Sequence, residues 1–136
     1  MQRLLIVAIG GALGAMARHA LGSLVTRLWA GHFPLGTWII NVTGSFIIGA
    51  FLTLYGERAA IPLNLSQNLS HNLRLLIAVG FVGAFTTFST FEYETLQLIE
   101  TGRTTTALLY VGSSLLIGLL AVWAGVALTR RLLLSL

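Results

Sequence analysis

Four apolar stretches, at about residues 4–28, 36–56, 73–99 and 105–129, take up nearly all of the chain. A helix needs ~20 mostly apolar residues to cross a bilayer, and each stretch reaches that length. The connections between them are short. Gly31-His32-Phe33-Pro34 breaks the chain after the first stretch, Glu57 to Asn72 forms the longest loop, and Glu100-Thr101-Gly102-Arg103 turns the third into the fourth. Residues 1–136 therefore read as a single integral membrane domain, all-α, multi-pass, with the lipid bilayer as its solvent. Composition agrees. Charged residues make up 9% of the 136, against about 25% in soluble domains. Twelve charges, all of them Arg or Glu, cannot coat a water-exposed surface. Soluble enzymes, nucleic-acid binders and disordered tails are excluded on that ground. The formal charge of +4 does not point to nucleic acid, because the Arg residues are scattered and form no basic stripe.

Arg3, the apolar run after it and Ala15-Met16-Ala17 imitate a cleavable leader. Three further spans follow, however, and Gly10, Gly11 and Gly14 interrupt the supposed hydrophobic region, so this segment reads as the first span. Trp29 and Trp38 fall at the ends of spans one and two, where aromatic anchors belong. His19, His32 and His71 lie near span ends and read as interfacial or packing residues. Fifteen glycines suggest close helix contacts, because small residues let backbones approach where no hydrophobic drive separates helix from lipid. Gly10, Gly14, Gly44, Gly80, Gly83, Gly112 and Gly118 are the candidates. Helices packed so tightly leave little space for a pore within one chain.

Polar groups inside spans are costly and therefore informative. Thr37, Asn41 and Ser45 recur every four residues along one face of span two, as do Tyr110, Ser114 and Gly118 in span four. Span three is richer. It runs Gly80-Phe81-Val82-Gly83-Ala84-Phe85-Thr86-Thr87-Phe88-Ser89-Thr90-Phe91 and then Glu92-Tyr93-Glu94. Thr and Phe are middling helix formers and Gly is poor, so a break is expected near 83–87. Backbone freed by a break is tolerated at this depth only within protein or beside a water-filled cavity. Freed carbonyls suit a hard cation. Hydroxyls and the positive edges of Phe rings suit an anion. Arg18 and the Glu92/Glu94 pair are expected near span ends. Weak neutral donors can replace hydration without trapping an ion, so the residues point to a small, strongly hydrogen-bonding anion and no further.

The motifs Gly10-Gly11-x-x-Gly14-Ala15-x-x-Arg18, Gly36-Thr37-x-x-x-Asn41-x-x-Gly44-Ser45-Phe46 and Gly80 to Phe91 resemble the Fluc family of fluoride channels, also called CrcB. The resemblance covers nearly the whole chain. It implies a fluoride-specific channel of the cell (inner) membrane that exports fluoride passively. It also implies a dual-topology antiparallel homodimer with two pores at the interface. By the same resemblance Phe88, Phe91, Asn41, Ser89, Thr90, Tyr110, Ser114 and Glu94 belong to the fluoride path, while Arg18 and Thr37 complete the matched motifs. Gly83 and Thr86 match positions whose backbone carbonyls hold a structural, non-transported Na⁺. Ser113-Ser114 replaces the family's common Gly-Ser pair, and Ala84 replaces a common second Gly.

A small dual-topology multidrug-type exporter is the rival reading. It needs a carboxylate in the first span, and the first acid here is Glu57. No nucleophile, base and orienting acid cluster, so no enzyme is expected. Orientation gives conflicting signals. Arg3, Arg58, Arg74, Arg130 and Arg131 fall on one side, with Arg27 and Arg103 opposite and Arg18 joining those two if it reaches the interface. That excess favours one orientation, whereas dual topology expects balance. The motif match carries more weight, and both orientations are expected.

Overall fold

The computed structural model describes residues 1–56 and 67–135. The architecture is all-helical, with four apolar helical units long enough to cross a membrane. Helix α1 spans Gln2–Leu28 and α2 spans Leu35–Gly56. The third unit begins with a regular turn set, Gln67–Arg74, widens into a π-helical stretch, Leu75–Val82, and ends in Gly83–Phe85. These three segments together form α3. After the break come α4, Phe88–Glu100, and α5, Thr104–Leu134. The third unit thus starts earlier than its apolar run, because the polar segment Gln67–Arg74 is already helical. Arg58 and Pro62 lie outside the described residues.

Backbone-to-backbone packing arranges the helices in pairs. A methyl group added to Gly10 would meet the Leu76 carbonyl of α3, and one added to Gly14 would meet the Phe81 carbonyl. Gly80 faces the Gly10 backbone from the other side. The α2–α5 pair uses glycines that the spacing did not single out. Gly49 lies on the Val122 carbonyl, and Gly125 on the Phe46 carbonyl. Gly112 has open space around it, and Gly83 and Gly118 have only ordinary contacts. Within the chain these three are not the close-contact glycines expected of them. Spacing identifies a small-residue face, but not which face meets a neighbour.

The turn between α4 and α5 follows from one residue. Gly102 adopts a positive φ of 74°, which glycine supplies at little cost. Its N–H bonds the Ile99 carbonyl at 3.0 Å, and the Arg103 N–H bonds the Leu98 carbonyl at 2.8 Å. This is the Schellman closure that satisfies the last carbonyls of a helix. It folds α5 back along α4 and brings Tyr110 beside Glu94. Trp38 does not serve as a lipid anchor. Its indole N–H turns inward to the Ser113 hydroxyl at 3.1 Å.

Candidate functional site

The third membrane unit breaks at Thr86–Thr87, where both residues turn extended (φ −77°, ψ 158° and φ −149°, ψ 114°). Gly83 stays helical at φ −60°, ψ −35°, so the break sits at the C-terminal edge of the expected window. The backbone groups of Thr86 and Thr87 can be followed. The Thr87 N–H, which an unbroken helix would direct to the Gly83 carbonyl, donates instead to Asn41 Oδ1 at 2.9 Å. The Thr87 carbonyl accepts from Asn41 Nδ2 at 3.1 Å. One side-chain amide therefore pairs with both backbone groups of Thr87. Thr87 also caps α4, its hydroxyl accepting from the Thr90 N–H at 3.4 Å and donating to the Thr90 hydroxyl at 2.9 Å. The Thr86 N–H and hydroxyl both return to the Val82 carbonyl, each at 3.0 Å. The Thr86 carbonyl accepts from Arg18 Nη1 at 3.4 Å.

Arg18 is thus not an interfacial residue, contrary to its expected place near a span end. It lies on the face of α1 that Gly14 presses against α3, one turn further along, and points at the break. The Arg count by side consequently stays at five to two.

Beside the break lies an open cleft of about 460 Å³, lined by Asn41, Ser45, Thr87, Phe88, Phe91 and Ser114 among others. Gly83 and Thr86 contribute to its wall. The rings of Phe88 and Phe91 lie 5.8 Å apart, tilted by 36°, and Phe88 is 68% exposed. Among the described residues one buried side-chain polar atom has no hydrogen-bond partner: the Ser114 hydroxyl. It lines this cleft. One Asn41 amide proton also remains after the Thr87 bond, since an amide nitrogen carries two.

Not every candidate gathers here. Tyr110 is fully buried and lies behind Phe91, with ring centroids 5.0 Å apart. Its hydroxyl donates to Glu94 Oε2 at 2.7 Å, and the Thr37 hydroxyl donates to Glu94 Oε1 at 2.9 Å. Glu94 is therefore held by two hydroxyls in the last two turns of α4, near the span end where it was expected. It opens onto a second cavity of about 520 Å³ between the α1–α2 connection and the α4–α5 turn. A third cavity, of about 590 Å³, carries Arg18, His19, Arg27, Thr37, Thr87 and Thr90. Thr87 lies in the walls of the first and third cavities, and Thr37 in those of the second and third. A chain of hydroxyl-lined spaces therefore runs along the break. Ser89 is exposed and lines none of the three.

Residues 5–126 match the model of a protein family described as CrcB-like protein, Camphor Resistance (CrcB). The chain belongs to the CrcB family. Its relatives include a protein of Acidobacterium capsulatum named fluoride-specific ion channel FluC. That protein is 48% identical over 131 residues, covering 96% of this chain and 98% of its own. A relative of the same name from Nitratidesulfovibrio vulgaris is 42% identical over 130 residues, with the same coverage of each chain. Another, from Thermus thermophilus, is 45% identical over 125 residues, covering 92% of this chain and 93% of its own. Like its CrcB relatives, the chain is a multi-pass protein of the cell membrane.

Two of the candidate residues bear differently on the break. Asn41 uses both ends of its amide to hold the break and has one proton left for the cleft. Gly83 falls within the expected window but does not itself form the turn. It has helical dihedrals, and an added methyl would come no nearer than 3.8 Å to the Ala78 carbonyl. Only its carbonyl bears on the site.

Proposed function

We propose that this chain is a fluoride channel and that the cleft beside the break is its ion path. The observation that carries this reading is the Ser114 hydroxyl. A buried hydroxyl without a partner costs ~1–3 kcal/mol, and this one belongs to a residue lining a cleft that Asn41, Phe88 and Phe91 also line. Each of these offers a partial positive charge. An anion small enough to approach a hydroxyl and two ring edges together is the ligand they suit, and the curated relatives are named for fluoride. Neutral donors of this kind bind weakly enough to release the ion, which is what passive flow down a gradient requires.

The same cleft argues for a second chain. Its polar lining of Asn41, Ser45, Thr86, Thr87 and Ser114 lies within the spans and opens sideways from the bundle. Lipid cannot satisfy such a surface, whereas a water-filled cleft closed by protein can, and an inverted copy of the chain would close it. Reporters fused to the C-terminus, one active only in the cytoplasm and one only outside it, should both give signal. A cytoplasmic signal alone would exclude the antiparallel homodimer.

A structural Na⁺ belongs to the same reading. The break fits it, because the Gly83 carbonyl has lost its helical donor to Asn41 and the Thr90 N–H has turned from Thr86 to the Thr87 hydroxyl. Both carbonyls are hard oxygen donors, and two chains would offer four. Gly83 and Thr86 would hold the ion, which would supply positive charge between the two chains.

Fluoride efflux from liposomes containing the purified protein, with chloride as control, tests the channel. Phe88→Ile and Phe91→Ile keep apolar volume and remove the ring edges. Efflux should fall at least about tenfold in each, the equivalent of ~1.4 kcal/mol at the barrier, with assembly unchanged. Wild-type efflux in both variants would remove the rings from the path.

A further inference from the structure

An arginine inside a membrane bundle needs a reason. Among the described residues Arg18 makes no ion pair, and its hydrogen bond goes to the Thr86 carbonyl at 3.4 Å. Its register is fixed by its own helix. Gly14, four residues earlier, is seated on the Phe81 backbone of α3, so α1 cannot rotate to carry the guanidinium away. The groups around it do not neutralise it. The cavity it lines contains His19 and Arg27 from α1, while α2 and the break contribute Thr37, Ile40, Thr87 and Thr90, none of them charged. Glu94, the acid behind Thr37, opens onto the neighbouring cavity and has both oxygens engaged by hydroxyls.

The carbonyl that Arg18 holds is one of the two assigned to Na⁺ above, and the following inference rests on that assignment. We propose that Arg18 sets the affinity of the Na⁺ site by opposing it. The guanidinium occupies the Thr86 carbonyl when the ion is absent, and its charge repels the ion when present. Poorly screened in a partly buried position, two like charges sharing one carbonyl repel strongly. The C-terminal end of α3 is also the negative end of its backbone dipole, so one cation there displaces the need for another. Arg18 is on this account a positioning residue. It keeps the break assembled at low Na⁺ and prevents Na⁺ from being held too tightly.

The test reads stability rather than flux. Purified protein in detergent, exchanged into N-methylglucamine chloride, is titrated with NaCl at constant ionic strength while its thermal midpoint is followed. The wild type should show a saturable rise in midpoint. Arg18→Gln removes the charge, and its half-saturating Na⁺ concentration should fall at least tenfold. Arg18→Lys keeps the charge on a different donor geometry and should stay within about threefold of wild type. An unchanged or weaker Na⁺ response in Arg18→Gln overturns the proposal. If that variant does not assemble, Arg18→Lys decides, because a tenfold shift with the charge retained would mean that geometry matters and charge does not. A wild type indifferent to Na⁺ would instead remove the Na⁺ assignment itself, and the proposal with it.

Discussion

Asn41→Asp should lower fluoride efflux about 100-fold, and Asn41→Ser should lower it less. The reason lies in what the amide does at the break. Asn41 accepts from the Thr87 N–H and donates to the Thr87 carbonyl. An ionised carboxylate can make the first bond and not the second, and it sets an oxygen against an oxygen where a donor is required. The Thr87 carbonyl is then left without its donor and faces a carboxylate oxygen, at a cost of ~1–3 kcal/mol. The negative charge also faces the cleft that the anion must cross. Each 1.4 kcal/mol is tenfold, so the two penalties together reach about two orders of magnitude. Serine is neutral and still carries a proton, so a water can bridge its shorter reach. The comparison is made in liposome efflux, with size-exclusion profiles to confirm equal assembly. If the Asp variant conducts as well as wild type, the amide neither holds the break nor serves the ion.

The sequence read alone singled out Asn41, the Thr86–Thr87 region and the Phe pair, but it did not pair them. The existence of four spans follows from hydropathy, which depends on composition along the chain and needs no partner information. The break was legible for a related reason, since a Gly-, Thr- and Phe-rich stretch holds helix weakly. Its position was less so. The expected window, 83–87, holds the break, but no residue in it marks Thr86–Thr87 as the turn. There Asn41 from another helix supplies a substitute for the lost backbone bonds. That contact spans 46 residues, and no local preference encodes it. Arg18 shows the same limit. As a lone cation in an apolar run it reads as a residue reaching for the interface. Only the α1–α3 packing, fixed 68 residues away, turns it inward. Glu94 joined the fluoride path only through the resemblance, and its two hydroxyl partners, Thr37 and Tyr110, lie 57 and 16 residues away in the chain, beyond any local pattern.

Nothing in Leu75–Val82 announces a π-helical stretch. Its residues are ordinary apolar helix formers. The structure offers a tertiary setting for it: the Leu76 carbonyl, Gly80 and the Phe81 carbonyl all lie against the glycine face of α1. The inserted residue of each wide turn re-aims the side chains that follow. In that sense the site begins a full helix length before the break.

That packing carries the second large expected effect. Gly10 and Gly11 are adjacent in sequence and should behave oppositely. A methyl on Gly10 would fall on the Leu76 carbonyl and one on Gly14 on the Phe81 carbonyl, whereas one on Gly11 reaches the Ala84 methyl at 4.0 Å, an ordinary contact. Backbone carbonyls cannot swing aside as a side chain can, so the helices must separate, and overpacking of this kind costs ~1–3 kcal/mol or more. Separation would also carry Arg18 away from Thr86. Gly10→Ala and Gly14→Ala should therefore cut the yield of folded, monodisperse protein at least about tenfold, while Gly11→Ala recovers as wild type. Equal recovery of all three would mean that α1 does not seat on α3 through these glycines, and the inward aim of Arg18 would lose its cause.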